Sequence, residues 1–442
     1  MRRSTRVALW IGLPAVLLVG AAFALNRWIA SDDFRERLGT AASEALGAPV
    51  RAQRLSLAWW PLPAVAVDGL TIQARTPLSL QRVELRPRWG ALFLGNVRIQ
   101  TLVVREAVLP EATIALLSAR LSEDKAATRK AGGGATPDDE ALDFSLLPRE
   151  LVLDEVTWFA ADGARTTVDA TLRFDGDGWP RESKVAITGG NLRGTTIALQ
   201  REAGATAWRL DARVGGGRIQ GPIAVSPPAP DAKNRRVALK GSLRTEGVEV
   251  SALTAPSRTL TGRLQASTEI NAQFPERVSA DALVAALRTD TRFTVSEAVI
   301  NGIDLAKAVT TVGLSRGGQT GLDTLAGQVS TRGKAITLSN LVASSGVLAA
   351  TGEVNIAPSR ALSGRVRVDL TRGTTGQVTG VPLALGGTLD DPQVTLTRAA
   401  LLGAAIGTAL MPGVGTSAGA NLGDRVGEGL KGLFGGGREA QR

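Results

Sequence analysis

The chain has 442 residues, 44% of them hydrophobic, with 51 Lys and Arg against 41 Asp and Glu for a formal charge of +10. It contains no His, Cys or Tyr, which excludes disulfides, thiolate zinc sites, thiol nucleophiles and imidazole acid–base chemistry. The arginines are spread along the chain with few aromatics between them, a distribution that suits a solvated surface or anionic headgroups and argues against nucleic acid as a partner.

Residues 7–25 read VALWIGLPAVLLVGAAFAL, long enough as a helix to cross about 30 Å of hydrocarbon. Val7, Leu9, Ile11, Leu17, Leu18, Val19, Phe23 and Leu25 are its anchoring side chains, and lipid-embedded helices tolerate a proline such as Pro14. Arg2, Arg3 and Arg6 place residues 1–6 in the cytoplasm and the rest of the chain across the membrane. Trp10 and Trp28 suit the two interfaces, so the span is taken as 7–29. A cleaved signal peptide is the competing reading. The run exceeds the usual apolar core of about 7–15 residues, and Asn26-Arg27-Trp28 is a poor cleavage site.

From residue 30 to 121 the expectation is a helix followed by strands. Asp32 or Asp33 caps a helix with Phe34, Leu38, Ala41, Ala42 and Ala45 on one face, and Gly47 and Pro49 end it. The segments VRAQRLSLAWWP, AVAVDGLTIQA, LSLQRVELRP and VRIQTLVVRE then alternate with period two and stop at turn formers. Trp59-Trp60-Pro61 suits either a membrane interface or a Trp pair closing one end of a β core. Residues 122–143 are charged and rich in Gly and Ala, with too little apolar content to pack, and read as a linker or loop.

Strands resume in the region 144–397. Leu260, Leu264, Ala266, Ile270, Ala272 and Phe274 share one parity, while Thr261, Arg263, Gln265, Ser267, Glu269 and Asn271 share the other. Val168, Ala170, Leu172 and Phe174 repeat this, as do Val366, Val368 and Leu370. The alternation predicts a mainly β fold: a long antiparallel meander with one apolar face, interrupted by short helices at residues 279–288 and 304–313. In the tail, 398–442, Leu422, Val426, Leu430, Leu433 and Phe434 fall on one helical face, with Gly415, Gly419, Gly423 and Gly427 in a stripe. Such an amphipathic helix suits a second membrane or a partner, or caps the open end of the sheet.

No motif for catalysis appears. The glycine clusters lack a Walker lysine, and the acid pairs Asp32-Asp33, Asp138-Asp139 and Asp390-Asp391 sit at a helix start, a linker and a turn. The expectation is a non-enzyme without metal or cofactor. A sheet with one apolar side must gain a second layer, close on itself, or leave that side to a ligand. A sandwich or barrel and an open groove lined by Leu, Val, Ile and Phe are thus both consistent with the alternation. Lipid-groove candidates are Val168, Leu172, Phe174, Leu260, Leu264, Ile270, Phe274, Val366, Val368 and Leu370.

The order of several phrases resembles the AsmA family of envelope proteins. They are the anchor, the helix-to-strand passage DDFRERLGTAASEALGAPVRAQRLSLAWWPLPAVAVDGLTI, VINGIDLAKA, GLDTLAGQVSTRGKAITLSNLVASSGVLAATGEVNI, VPLALGGTLDDPQVTL and the Gly-rich tail. The resemblance implies an elongated, curled, taco-like β-groove related to chorein-type lipid-transfer proteins. It also implies an inner-membrane anchor, a periplasmic body, and a role in phospholipid movement or outer-membrane assembly. The implied partners are phospholipid or another acyl-chain lipid, the inner membrane, and the outer membrane or an envelope protein at the tail. Roughly twenty strands at about 4.8 Å spacing would extend about 100 Å. Two other classes carry different expectations: a scaffold for outer-membrane protein assembly would offer a sheet edge, and a membrane-anchored hydrolase would need convergent carboxylates.

Overall fold

The computed structural model describes residues 31–58, 64–88, 98–117, 148–160, 163–202, 205–227, 236–256, 258–275, 280–310, 317–372, 377–397 and 400. The anchor 7–29, Trp59-Trp60-Pro61, the linker 122–143 and the amphipathic tail face with Leu422, Val426, Leu430, Leu433 and Phe434 lie outside the described residues. Among those described, no helix is long and apolar enough to cross a membrane. The chain is mainly β and divides between Gln200 and Arg201 into two compact units.

The first unit opens with α1 (Asp32–Leu46). Asp32 and Asp33 stand in its first turn, where the helix dipole favours negative charge. Gly47 takes the expected left-handed exit at φ 61°. The Val50 N–H donates to Ser43 Oγ at 2.8 Å, tying the helix end to the first strand. Ala42 and Leu46 pack against Ala48, Val50, Ile72 and Leu78. The short strands β1 (Val50–Arg51) and β2 (Arg54–Ala58) both pair antiparallel with β3 (Ala64–Ile72). β4 (Leu78–Pro87) and β5 (Ile99–Pro110) extend this meander.

At β6 (Glu150–Phe159) the antiparallel expectation fails, because β5 and β6 are parallel, with Val104 opposite Leu153. Parallel neighbours need a crossover of a dozen residues or more. The chain between Pro110 and Glu150 supplies that length, starting with a helical stretch at 111–117 that the period-two reading did not anticipate. β7 (Arg165–Phe174), β8 (Pro180–Gly189) and β9 (Thr196–Arg201) return to antiparallel pairing.

In the second unit, β10 (Ala207–Val214), β11 (Gly217–Ser226) and β12 (Arg236–Glu249) lead into α2 (Val250–Thr254). β13 (Leu260–Pro275), α3 (Ala280–Ala286), β14 (Arg288–Asn301) and α4 (Leu305–Thr310) follow. The meander ends with β15 (Gln319–Arg332), β16 (Ala335–Ser344), β17 (Leu348–Ile356), β18 (Leu362–Arg372), β19 (Gln377–Gly387) and β20 (Pro392–Leu396). From β10 to β20 each strand pairs antiparallel with the next, and the sheet does not close. α3 falls inside the predicted 279–288. α4 starts beside Asp304, whose Oδ1 accepts the Lys307 N–H at 2.8 Å as an N-terminal cap. Among the described residues a large core lies where α2 and α4 meet the sheet: Val250, Leu305 and Ala308 pack with Val295, Ala298, Leu322, Leu348, Val368 and Leu383.

Two strand glycines let neighbouring backbones approach closely. A Cβ at Gly352 would stand 2.4 Å from the Arg365 carbonyl oxygen, and one at Gly364 would stand 2.4 Å from that of Glu353. Strand interiors use glycine where a side chain would hold the backbones apart. Gly352→Ala is expected to destabilise the second unit by about 1–3 kcal/mol through overpacking. The urea midpoint measures this, and an unchanged midpoint would mean that β17 and β18 separate there freely.

Candidate functional site

Residues directly opposite in an antiparallel pair project to the same face, so the registers assemble side chains into ribs that cross the strands. In the first unit one rib runs Leu57, Val65, Leu85, Leu102, Leu151 and Leu172. It continues through Ser183 to Leu199, and every member is half-buried. In the second unit Leu338, Val354, Gly364 and Leu385 form one such rib, and Ile336, Ile356 and Leu362 form its neighbour. These residues are again half-buried; Leu385 packs against the core under α2 and α4, while Leu338, Val354, Ile336, Ile356 and Leu362 belong to no packed core cluster.

Within each unit the predicted groove residues lie on the apolar face at different depths. Val168 stands opposite Val156 and Ile187, Leu172 opposite Leu151, and Phe174 opposite Pro180, all half-buried. Ile270 faces Gly241 and Thr289, Phe274 faces Val237, and both are half-buried. Leu260, Leu264, Val366 and Leu370 are partly buried but pack against the core under α2 and α4. Val368, between Ala350 and Val381, is 0% exposed and belongs to that core. From Arg263 onward the alternation on β13 is regular, with Arg263, Gln265, Ser267, Glu269 and Asn271 all exposed on the opposite face, whereas Thr261, expected with them, is half-buried beside a register shift in the β13–β14 pairing. The rib members Leu57, Leu85, Leu102, Leu151, Leu338 and Val354 were not among the predicted residues. Each has the right parity within its own strand, so strand registers were the missing information.

A cleft of about 530 Å³ opens along β16 to β19, lined by Leu341, Gly352, Val366 and Leu383 together with Glu353, Arg365 and Arg367. Its volume falls in the range of about 300–1,000 Å³ common for organic ligands. Cross-strand hydroxyls interrupt the apolar surface, as where Thr268 and Thr291 lie 3.0 Å apart.

The first unit departs from a single apolar face. At β3 to β5 the opposite face is also shut: Ala64, Ala66, Val103 and Thr101 are buried, and so is Glu84. Glu84 accepts from Arg82 Nε at 2.8 Å and from Arg86 Nη2 at 3.1 Å, with Arg105 4.0 Å away. Burial alone would raise its pKa, but the Arg82 hydrogen bond and the charges of Arg105 and Arg82 outweigh that and hold it below the usual carboxylate range. Among the described residues no group of His, Cys, Asp or Glu is arranged to hold a metal ion. No protein-family model, curated protein or solved structure matches the chain.

Proposed function

We propose that this chain is a non-enzymatic lipid carrier that holds phospholipid or another acyl-chain lipid along its apolar ribs. The observation that carries this reading is the half-buried, register-continuous apolar surface of Leu102, Leu151 and Leu172 in the first unit and of Leu338 with Val354 and Ile336 with Ile356 and Leu362 in the second. A closed core would seal such residues, and an ordinary surface would not align them. Acyl methylenes laid on these ribs gain about 0.8 kcal/mol each on leaving water, while headgroups stay hydrated at the strand ends. The resemblance to the AsmA family and the apolar N-terminal run support an inner-membrane anchor, a periplasmic body, and a role in outer-membrane lipid homeostasis. In that setting the sheet is a curled groove, and its tail meets the outer membrane or an envelope partner. Transport along it is passive or coupled to another protein.

A second reading, a scaffold for outer-membrane protein assembly, is favoured by β20, which among the described strands pairs with β19 alone. A free strand edge accepts another strand. Photo-crosslinking residues placed in cells at Leu172, Ile270 and Leu338, on the opposite face at Arg173, Asn271 and Thr337, and on β20 at the exposed Gln393, separate the two readings. Lipid adducts detected by mass spectrometry at the first set and not the second are the expected result. Protein adducts at β20 with no lipid at any position would replace the carrier with the scaffold.

A further inference from the structure

At one end of the first unit's ribs, β4 to β7 border a small basic cleft of about 60 Å³. Arg88, Arg98 and Arg149 line it together with Ile99, Phe174 and Gly176. The strand ends fix these arginines at the backbone: the Arg88 N–H donates to the Arg98 carbonyl at 2.8 Å, and the Phe174 N–H donates to that of Arg149 at 2.9 Å. The Arg149 Nη2 lies 3.9 Å from where a Cβ on Gly176 would stand, which places this guanidinium at the wall of the cleft.

Arg82, Arg86, Arg105, Arg173 and Arg218 are each paired with a carboxylate. Among the described residues, no carboxylate forms an ion pair with Arg88, Arg98 or Arg149. The one acidic residue of the lining, Asp175, already has a partner. Arg88, Arg98 and Arg149, all solvent-exposed, concentrate positive charge along this cleft, where an anion can join them. One water needs about 10–15 Å³ of such space, so the cleft admits a compact tetrahedral oxyanion and not a ring system. Planar guanidinium forks suit phosphate oxygens.

Location selects the source of that phosphate. Phe174 lies two residues beyond Leu172 on β7, about 7 Å along the strand, and Pro87 opposite Ile99 lies two beyond Leu85 on β4. The cleft therefore opens at the end of the Leu85, Leu102, Leu151 and Leu172 rib. We propose that Arg88, Arg98 and Arg149 bind the phosphate of a glycerophospholipid whose acyl chain lies on that rib. The lipid assignment rests on the carrier reading above; the phosphate site does not.

Binding of three probes to the full-length protein in a non-ionic detergent tests this by calorimetry: dihexanoyl phosphatidylglycerol, dihexanoylglycerol and inorganic phosphate. In the double variant Arg98→Gln/Arg149→Gln, phosphatidylglycerol affinity is expected to fall about ten- to hundredfold, as loss of charge-assisted hydrogen bonds predicts. Dihexanoylglycerol binding should stay unchanged, which also shows that the variant is folded. The Arg98→Lys/Arg149→Lys variant keeps the charge without the fork and should fall between. Equal phosphatidylglycerol binding by parent and Gln variant would overturn the site while leaving the carrier reading intact. Binding of inorganic phosphate but neither lipid, lost in the Gln variant, would keep the oxyanion site and overturn the lipid assignment. No binding of any probe by the parent would overturn both.

Discussion

Val368→Asp is expected to unfold the second unit, whereas Leu338→Asp should leave it folded and unable to retain lipid. The two positions share the same sheet face and differ in depth. Val368 is 0% exposed and lies between Ala350 and Val381, in the core with Leu348 and Leu383. An unpaired carboxylate there costs at least several kcal/mol of desolvation, against a total stability of about 5–15 kcal/mol for a domain. Leu338 is half-buried and belongs to no core cluster, so a carboxylate at that site keeps much of its water. It would also interrupt the rib it shares with Val354 and set a negative charge beside any bound phospholipid. Limited proteolysis and urea unfolding report the first effect; lipid co-purifying with the membrane-extracted protein reports the second. Equal stability loss at both positions would show that the ribs are ordinary core and would remove the basis for a lipid-binding face.

That contrast marks the boundary of what period-two alternation reveals. Val366, Val368 and Leu370 read alike in sequence, because parity assigns a side chain to a face and is silent about depth. Depth here depends on α2 and α4. Asp304 and the apolar face around Leu305 announce α4, but VSALT in α2 is five residues long and carries no full helical period. The strands themselves were legible, as were the Gly47 exit and the exposed polar parity of β13. The parallel β5–β6 pair was not, because strand direction is set by a crossover through residues whose composition reads as linker. Ribs were hidden for a related reason. Leu85 and Leu102, or Leu151 and Leu172, are distant or unremarkable in sequence and become neighbours only through register. The arginines of the basic cleft come from three separate segments and share no motif.

Glu84 gives the first unit a dependence on acid that Glu84→Gln should remove. In LSLQRVELRP it looks like any outward-facing charge of an alternating strand, yet it is 5% exposed and holds Arg82 and Arg86. Its pKa is lower folded than unfolded, because the arginines outweigh the desolvation that opposes them. The unfolded chain therefore binds the proton more tightly. The stabilisation from this carboxylate is complete above the ordinary Glu value of about 4.3 and is lost as pH falls through the folded value. Glu84→Gln should destabilise the first unit at pH 7 by about 3 kcal/mol, the lower end for breaking a buried pair, since Arg82 and Arg105 reach solvent. Arg86 should suffer most: its Nε has no hydrogen-bond partner among the described residues, and the substitution replaces the charged acceptor of its Nη2 with a neutral amide. Urea midpoints of parent and variant, measured from pH 7 down to pH 3, should converge as the parent's Glu84 is protonated. Parallel curves with a constant gap would mean that shape, not charge, holds β3 to β5 together, and that the arginines around Glu84 find other partners.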